Sequence, residues 1–203
     1  METIQLEAIP AVLHWENPPV SFTTDGKAAL TITAGEKVDM FNNPQSDEII
    51  NKSPRLLFTP QGYFTLSAKV KGDFQGMFDA GALVLYADQA HWIKLAFERS
   101  PEKPTVVSVV TRGRSDDCNS TVIAGDIVYL RLARVGATVG VSFALHYSLD
   151  GVYWHFVRLL NMGELDKYAI GFSAQSPLGA GCTASFSEIT YTNRLLEDLR
   201  NGE

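Results

Sequence analysis

The chain has 203 residues, 45% of them hydrophobic and 20% charged, with a formal net charge of −6 at pH 7. That length buries a substantial globular core, and the acidic balance argues against phosphate-backbone binding as the main activity. No run approaches the ~18 apolar residues that would cross a membrane, and nucleic acid and membrane are set aside as partners.

The opening residues 1–13 lack the basic start and long apolar run of a secretory signal, which predicts a cytoplasmic protein. Cys118 and Cys182 are too few for a disulfide framework or a cysteine-built metal site, and two free thiols fit a reducing compartment. Asn51-Lys52-Ser53 and Asn119-Ser120-Thr121 match the glycosylation pattern by chance in such a setting.

Strand signals run from about residue 19 to residue 192. Phe64, Leu66, Ala68 and Val70 alternate with Tyr63, Thr65, Ser67 and Lys69. Val128, Leu130 and Leu132 alternate with Tyr129, Arg131 and Ala133, and a further row runs from Val139 to Tyr147. Turn signals separate such runs at Lys71-Gly72-Asp73, Pro101-Glu102-Lys103-Pro104, Ala124-Gly125-Asp126, Asp150-Gly151 and Met162-Gly163. Roughly a dozen short strands spaced by turns predict an all-β, two-sheet antiparallel sandwich of jelly-roll type. No repeat or composition break divides the chain, so residues 1–203 are taken as one domain. Only the end predicts a helix: Asn193 can cap Arg194–Arg200, with Leu195, Leu196 and Leu199 on one stripe, giving a helical tail over 192–203.

The most informative strand is His91–Glu98. Ile93, Leu95 and Phe97 take one face, the core face, while Trp92, Lys94, Ala96 and Glu98 take the other. An aromatic, a cation, a small residue and an anion in one row make a floor for a polar ligand. Same-face neighbours lie roughly 6.8 Å apart, so Lys94 and Glu98 stand roughly 13 Å apart and do not form one ion pair. Closing 99–104 as a hairpin loop sets Glu98 beside Val106, Lys94 beside Val110 and Trp92 beside Arg112, with Val107 and Val109 in the core. On that register Trp92, Lys94 and Glu98 line a groove, with Arg112 and Asp116 at its edge. Aromatic faces cover sugar C–H surfaces and polar groups bind hydroxyls. The bland alternative packs Trp92 under a loop and leaves the charges solvated.

The remaining motifs carry less. Trp15 reads as a core or staple residue and Trp154 as a cross-strand one. Ser148-Leu149-Asp150-Gly151 forms a hairpin device. His14, His91, His146 and His155 show no zinc spacing, and there is neither a Gly-x-Ser-x-Gly elbow nor a phosphate-binding Gly loop, so no metal or cofactor is expected.

Several segments together resemble an uncharacterised concanavalin-like lectin/glucanase-fold family, one group of which is named for regulation of enolase. They are Trp15-Glu16-Asn17-Pro18, Val38-Asp39-Met40-Phe41, Trp92-Ile93-Lys94 with Glu98, Val109-Val110-Thr111, Ser115-Asp116, Tyr147–Gly151, Ile170-Gly171-Phe172 and Ser176-Pro177. They span roughly residues 13–190. Asp117 departs from the tryptophan that often follows the Ser-Asp pair. The resemblance implies the two-sheet lectin/glucanase fold and a link to carbohydrate metabolism, without an established catalytic mechanism. The carboxylate row Glu-x-Asp-x-x-Glu of glucanases of this fold is absent: Glu98 has no carboxylate two or four positions away, and Glu102 lies beyond Pro101. The leading expectation is therefore a non-catalytic domain that binds a carbohydrate or sugar-derived ligand. A protein-interaction regulator of a glycolytic enzyme such as enolase comes second, and a glycoside-active enzyme third.

Overall fold

The protein's computed structural model describes residues 3–101 and 103–203; Met1, Glu2 and the turn residue Glu102 lie outside the described residues. Among the described residues the chain forms seventeen strands. The first seven are short: β1 (Thr3–Ile4), β2 (Leu13–Glu16), β3 (Ser21–Thr24), β4 (Leu30–Ala34), β5 (Met40–Asn42), β6 (Ile49–Asn51) and β7 (Arg55–Phe58). Longer ones follow as β8 (Phe64–Asp73), β9 (Ala80–Asp88), β10 (His91–Arg99), β11 (Pro104–Arg112), β12 (Arg114–Val122) and β13 (Ile127–Val135). The last are β14 (Ser142–Ser148), β15 (His155–Asn161), β16 (Ala169–Gln175) and β17 (Cys182–Thr192).

They build an eight-stranded sheet in the order β1-β2-β7-β16-β9-β10-β11-β12 and a seven-stranded one in the order β15-β14-β13-β8-β17-β4-β3. The ladders are antiparallel. Period-two alternation drives the layering. Leu83, Leu85, Ile93, Leu95, Phe97, Ile170 and Phe172 point inward from one sheet, and Leu66, Val70, Leu130, Leu132, Phe143, Leu145 and Phe186 from the other. A Cβ on Gly81 would stand 2.8 Å from the Ala184 Cβ and 3.0 Å from Val70 Cγ1, so glycine is what lets the sheets close there. The sandwich is the two-sheet jelly roll of the concanavalin-like fold, as the alternation and the resemblance imply.

The outer face of the eight-stranded sheet is also largely dry. Leu57, Ala82, Val84, Trp92, Ala96, Val107 and Val109 form a second cluster with Met40, and Phe41 packs against it. The hairpin β5–β6 covers this face. Asn42 pins it, its backbone N–H donating to Ser115 Oγ at 2.9 Å and its side-chain amide to the Gln89 and Gly113 carbonyls at 2.9 Å.

Two expectations are corrected. The tail is not helical: residues 193–203 run as irregular turns. Of its three leucines only Leu196 is fully buried, against Ala133, Val135 and Ala144, while Leu195 stays exposed. The Asp198 carboxylate accepts the Arg200 N–H at 2.7 Å, and Asn201 accepts that of Glu203 at 3.1 Å. Side chains that take backbone amides compete with a helix, and the seven residues Arg194–Arg200 are too few to outweigh them.

The β10–β11 register is the second correction. Arg99 pairs Pro104, leaving a four-residue loop, so Glu98 faces Thr105, Lys94 faces Val109 and Trp92 faces Thr111. Val106 and Val110 then enter the inter-sheet core, and Val107 and Val109 join the outer cluster. Both faces of Thr105–Val110 are apolar enough to be buried, so the hydrophobic pattern leaves a one-residue slip undecided.

Candidate functional site

Lys94 and Glu98 project from the outer face of β10 into a cavity of about 200 Å³, whose walls are Asp39, Phe41, Phe78, Val109, Asp117 and Gln175. Six regions of the chain meet here, Phe78 coming from the loop before β9 and Val109 from β11. β10 supplies Lys94 and Glu98, the β5 segment Asp39 and Phe41, and β16 the inward-facing amide of Gln175. β12 brings Asp117, which pairs Val109 and through it lines up with Lys94.

Lys94 is 3% exposed. Its ammonium donates to Gln175 Oε1 at 2.7 Å, to the Met40 carbonyl at 3.1 Å and to Asp39 Oδ1 at 3.3 Å, which compensates the burial of its charge. Glu98 is 7% exposed and accepts the Ser100 hydroxyl at 3.2 Å. Burial pushes its carboxyl up to about 7; Lys94 opposes the rise, and Asp117 and Asp39 add to it. Asp117 is exposed over much of its surface, yet partial burial still raises its carboxyl, again against the pull of Lys94.

Phe78 holds a left-handed backbone at φ 67°, uncommon for a bulky side chain. Its N–H donates to the Arg99 carbonyl at 2.8 Å and its carbonyl accepts the Gln175 amide at 3.0 Å, so both neighbours of the cavity fix it.

Of the five residues singled out in the sequence, the structure brings Lys94 and Glu98 together at the cavity. Trp92 shares their face but is sealed, at 1% exposure, in the hydrophobic cluster beside it. Arg112 and Asp116 are not at its edge. Arg112 pairs His91 and Asp116 pairs Val110, which puts both on the opposite parity. The Arg112 guanidinium donates to the Asn161 carbonyl at 2.8 Å, and Asp116 bridges to Arg158 at 2.6 Å across the side of the sandwich. One slipped register accounts for both misplacements and for setting Asp116, rather than Asp117, at the groove. Asp39, Phe41, Phe78 and Gln175 were also missed. The Val38–Phe41 run was the available signal for two of them, and nothing local marks Phe78 or Gln175.

The arrangement is a small polar chamber with aromatic walls. Among the described residues no group of three or more His, Cys, Asp or Glu is placed to hold a metal ion. A larger cleft of about 600 Å³ lies along Glu16, Tyr86, Arg134, Asp166, Lys167 and Tyr168. Its charges are of both signs and Asp166 and Lys167 are solvated, so it lacks the buried, converging polar groups that mark a ligand site. Cys118 is exposed and Cys182 buried, both free. No helix among the described residues is long and apolar enough to cross a membrane.

The comparison with known proteins follows the same lines. The model of a family described as "Protein of unknown function (DUF1349)" matches residues 15–194. A Saccharomyces cerevisiae protein named "Regulation of enolase protein 1" is 29% identical over 189 residues, covering 91% of this chain and 93% of its own. The crystal structure of a functionally unknown protein from the same yeast superposes with a TM-score of 0.81 at 25% identity, over 90% of this chain and 97% of that one. A bifunctional GH43-CE protein of Bacteroides eggerthii superposes at 0.72 with 17% identity, over 93% of this chain and 24% of its own. The legume lectin-like domain of Entamoeba histolytica reaches 0.55 at 10% identity, over 95% and 97%. The last two show the fold alone.

Proposed function

The chain belongs to the DUF1349 family, and from that premise we propose that it is a non-catalytic binding protein whose Lys94–Glu98 cavity takes one small hydroxyl-rich ligand, a monosaccharide or a close derivative. One observation carries the reading: Glu98, almost wholly buried, turns a carboxyl toward a space that Phe41 and Phe78 also line. Carboxyl and amide oxygens accept sugar hydroxyls, and aromatic surface covers sugar C–H groups. At about 200 Å³ the chamber is smaller than the ~300–1,000 Å³ typical of larger ligands, a size that suits one sugar ring better than an extended glycan. Lys94 serves as an anchor that ties Asp39, Met40 and Gln175 around the space.

Calorimetric titration with a panel of neutral monosaccharides tests this. Binding to at least one sugar is expected, and Glu98→Gln should weaken it roughly ten- to a hundredfold with the fold retained. Failure of the whole panel, or an indifferent Glu98→Gln variant, overturns it.

A second reading, regulation of a glycolytic enzyme by contact, is supported by the printed name of the yeast relative and by the β14–β15 hairpin tip. There Leu149, Val152 and Tyr153 are 63%, 82% and 59% exposed. The tip is rigid: the Asp150 carboxylate accepts the Val152 and Tyr153 N–H groups at 2.8 and 2.9 Å. Light scattering of the protein mixed with enolase, before and after Val152→Asp with Tyr153→Ser, decides this one. A complex that ignores both changes removes the tip from the interface. A cytoplasmic setting fits either reading, since an exposed unpaired Cys118 suits a reducing compartment.

A further inference from the structure

We infer, building on the binding reading above, that the cavity selects a hydroxylated ligand carrying a positive charge, such as an amino sugar, and rejects carboxylated or phosphorylated sugars. The reason lies in where the hydrogen-bond donors are already spent. An ammonium has three hydrogens, and Lys94 meets three acceptors at 2.7, 3.1 and 3.3 Å. The one positive charge in the wall is therefore engaged before a ligand arrives. Gln175 gives one of its two amide hydrogens to the Phe78 carbonyl at 3.0 Å, and Ser100 donates its hydroxyl to Glu98 Oε1 at 3.2 Å.

What still faces the space is mostly acceptor, the second amide hydrogen of Gln175 apart. Glu98 is 7% exposed, and its second oxygen has no hydrogen-bond partner among the described residues. With no protein donor on it, that oxygen is open to a ligand, and a ligand N–H of positive charge bonds a carboxylate more strongly than a hydroxyl does. Asp117 adds a second carboxyl at the mouth, and Asp39 stands behind Lys94. Phe41 and Phe78 reinforce the choice, since aromatic surface attracts cations. An entering anion meets three carboxyl groups and no free donor of charge, which is discrimination by repulsion. Lys94, Asp39 and Asp117 are the charged groups facing Glu98; its carboxyl ionises near pH 7, so preference for a cation should grow as pH rises through that value.

The test uses the full chain at pH 8 and methyl glycosides of glucose, galactose and mannose, each carrying ammonium, hydroxyl or carboxylate at C6. Ring shape is then constant while charge changes sign. For whichever sugar binds, the ammonium form should bind about ten- to a hundredfold more tightly than the hydroxyl form, and the carboxylate form not measurably. Glu98→Gln should collapse that ratio towards one, whereas Asp126→Asn, which removes a charge paired with Lys71 outside the cavity, should leave it intact. If Glu98→Gln fails to fold, Asp117→Asn at the exposed rim gives the same readout. Equal affinity for the ammonium and hydroxyl forms, or tighter binding of the carboxylate, overturns the charge selection while the binding reading survives. No binding by any of the nine compounds overturns both.

Discussion

The two faces of β10 are buried almost equally and are chemically unlike. Ile93, Leu95 and Phe97 are at most 1% exposed, and so is Trp92 on the other side, with Lys94 at 3% and Glu98 at 7%. The inner face meets only apolar neighbours from the opposite sheet. The outer face meets the β5 segment, which brings a carboxylate and a backbone carbonyl to Lys94. Depth alone therefore does not tell a core from a site. What separates them is whether the polar groups are fully matched: Lys94 is, and Glu98 is not.

Substitutions on each face can break or sharpen this contrast. Phe97→Ala, on the inner face, should cost about 3–5 kcal/mol in urea unfolding, from lost burial and the cavity left behind. A loss under about 1 kcal/mol would mean the inner face is not the tightly packed one. Glu98→Gln should do the reverse and stabilise. The free carboxyl ordinarily titrates near 4.5, and burial lifts it to about 7 in the fold. Between those values the folded state keeps a proton that the unfolded state has released, so stability falls as pH rises through the window and stays low above it. The glutamine does not titrate. Its advantage should be small at pH 5 and on the order of 3 kcal/mol at pH 8; thermal melts across that range that show no pH-dependent gap would contradict the burial of Glu98.

Lys94→Met should cost roughly 2 kcal/mol, because Gln175, Met40 and Asp39 lose their shared donor, though Asp39 is partly solvated and can turn to water. Stability unchanged by this substitution would make the ammonium a bystander. Asp116→Asn gives the smallest effect. It breaks only an exposed bridge to Arg158, worth at most about 1 kcal/mol, and should leave ligand affinity untouched. A change in affinity there would return Asp116 to the site.

The fold was legible because alternation survives wherever one face is polar, as in Phe64–Val70 and Val128–Leu132. The parity of Trp92, Lys94 and Glu98 was legible for the same reason. Legibility failed at Thr105–Val110, where both faces are buried and no charged residue fixes the frame; that one-residue ambiguity put Arg112 and Asp116, in place of Asp117, on the side of Lys94. Phe78 and Gln175 had no local signal, and the Val38–Phe41 run did not say where Asp39 would go. Asp39 and Gln175 come to Lys94 from 55 and 81 residues away, and no local period records such a meeting. The tail misled through its three leucines, which pattern as a helix stripe although only Leu196 is fully buried.

The strand order has a consequence for how the chain is made. β16 sits between β7 and β9, and β17 between β8 and β4, so the two strands made after the other fifteen are the central joints of both sheets. Until they emerge, β7, β9, β8 and β4 each present an unpaired rim, and such rims recruit other chains. At translation speeds of ~5–20 residues per second, β9 waits on the order of ten seconds for its partner. Nascent chains stalled before Ala169 should therefore be avid clients of chaperones, and their release should yield aggregates where a stall just past Thr192 yields folded protein.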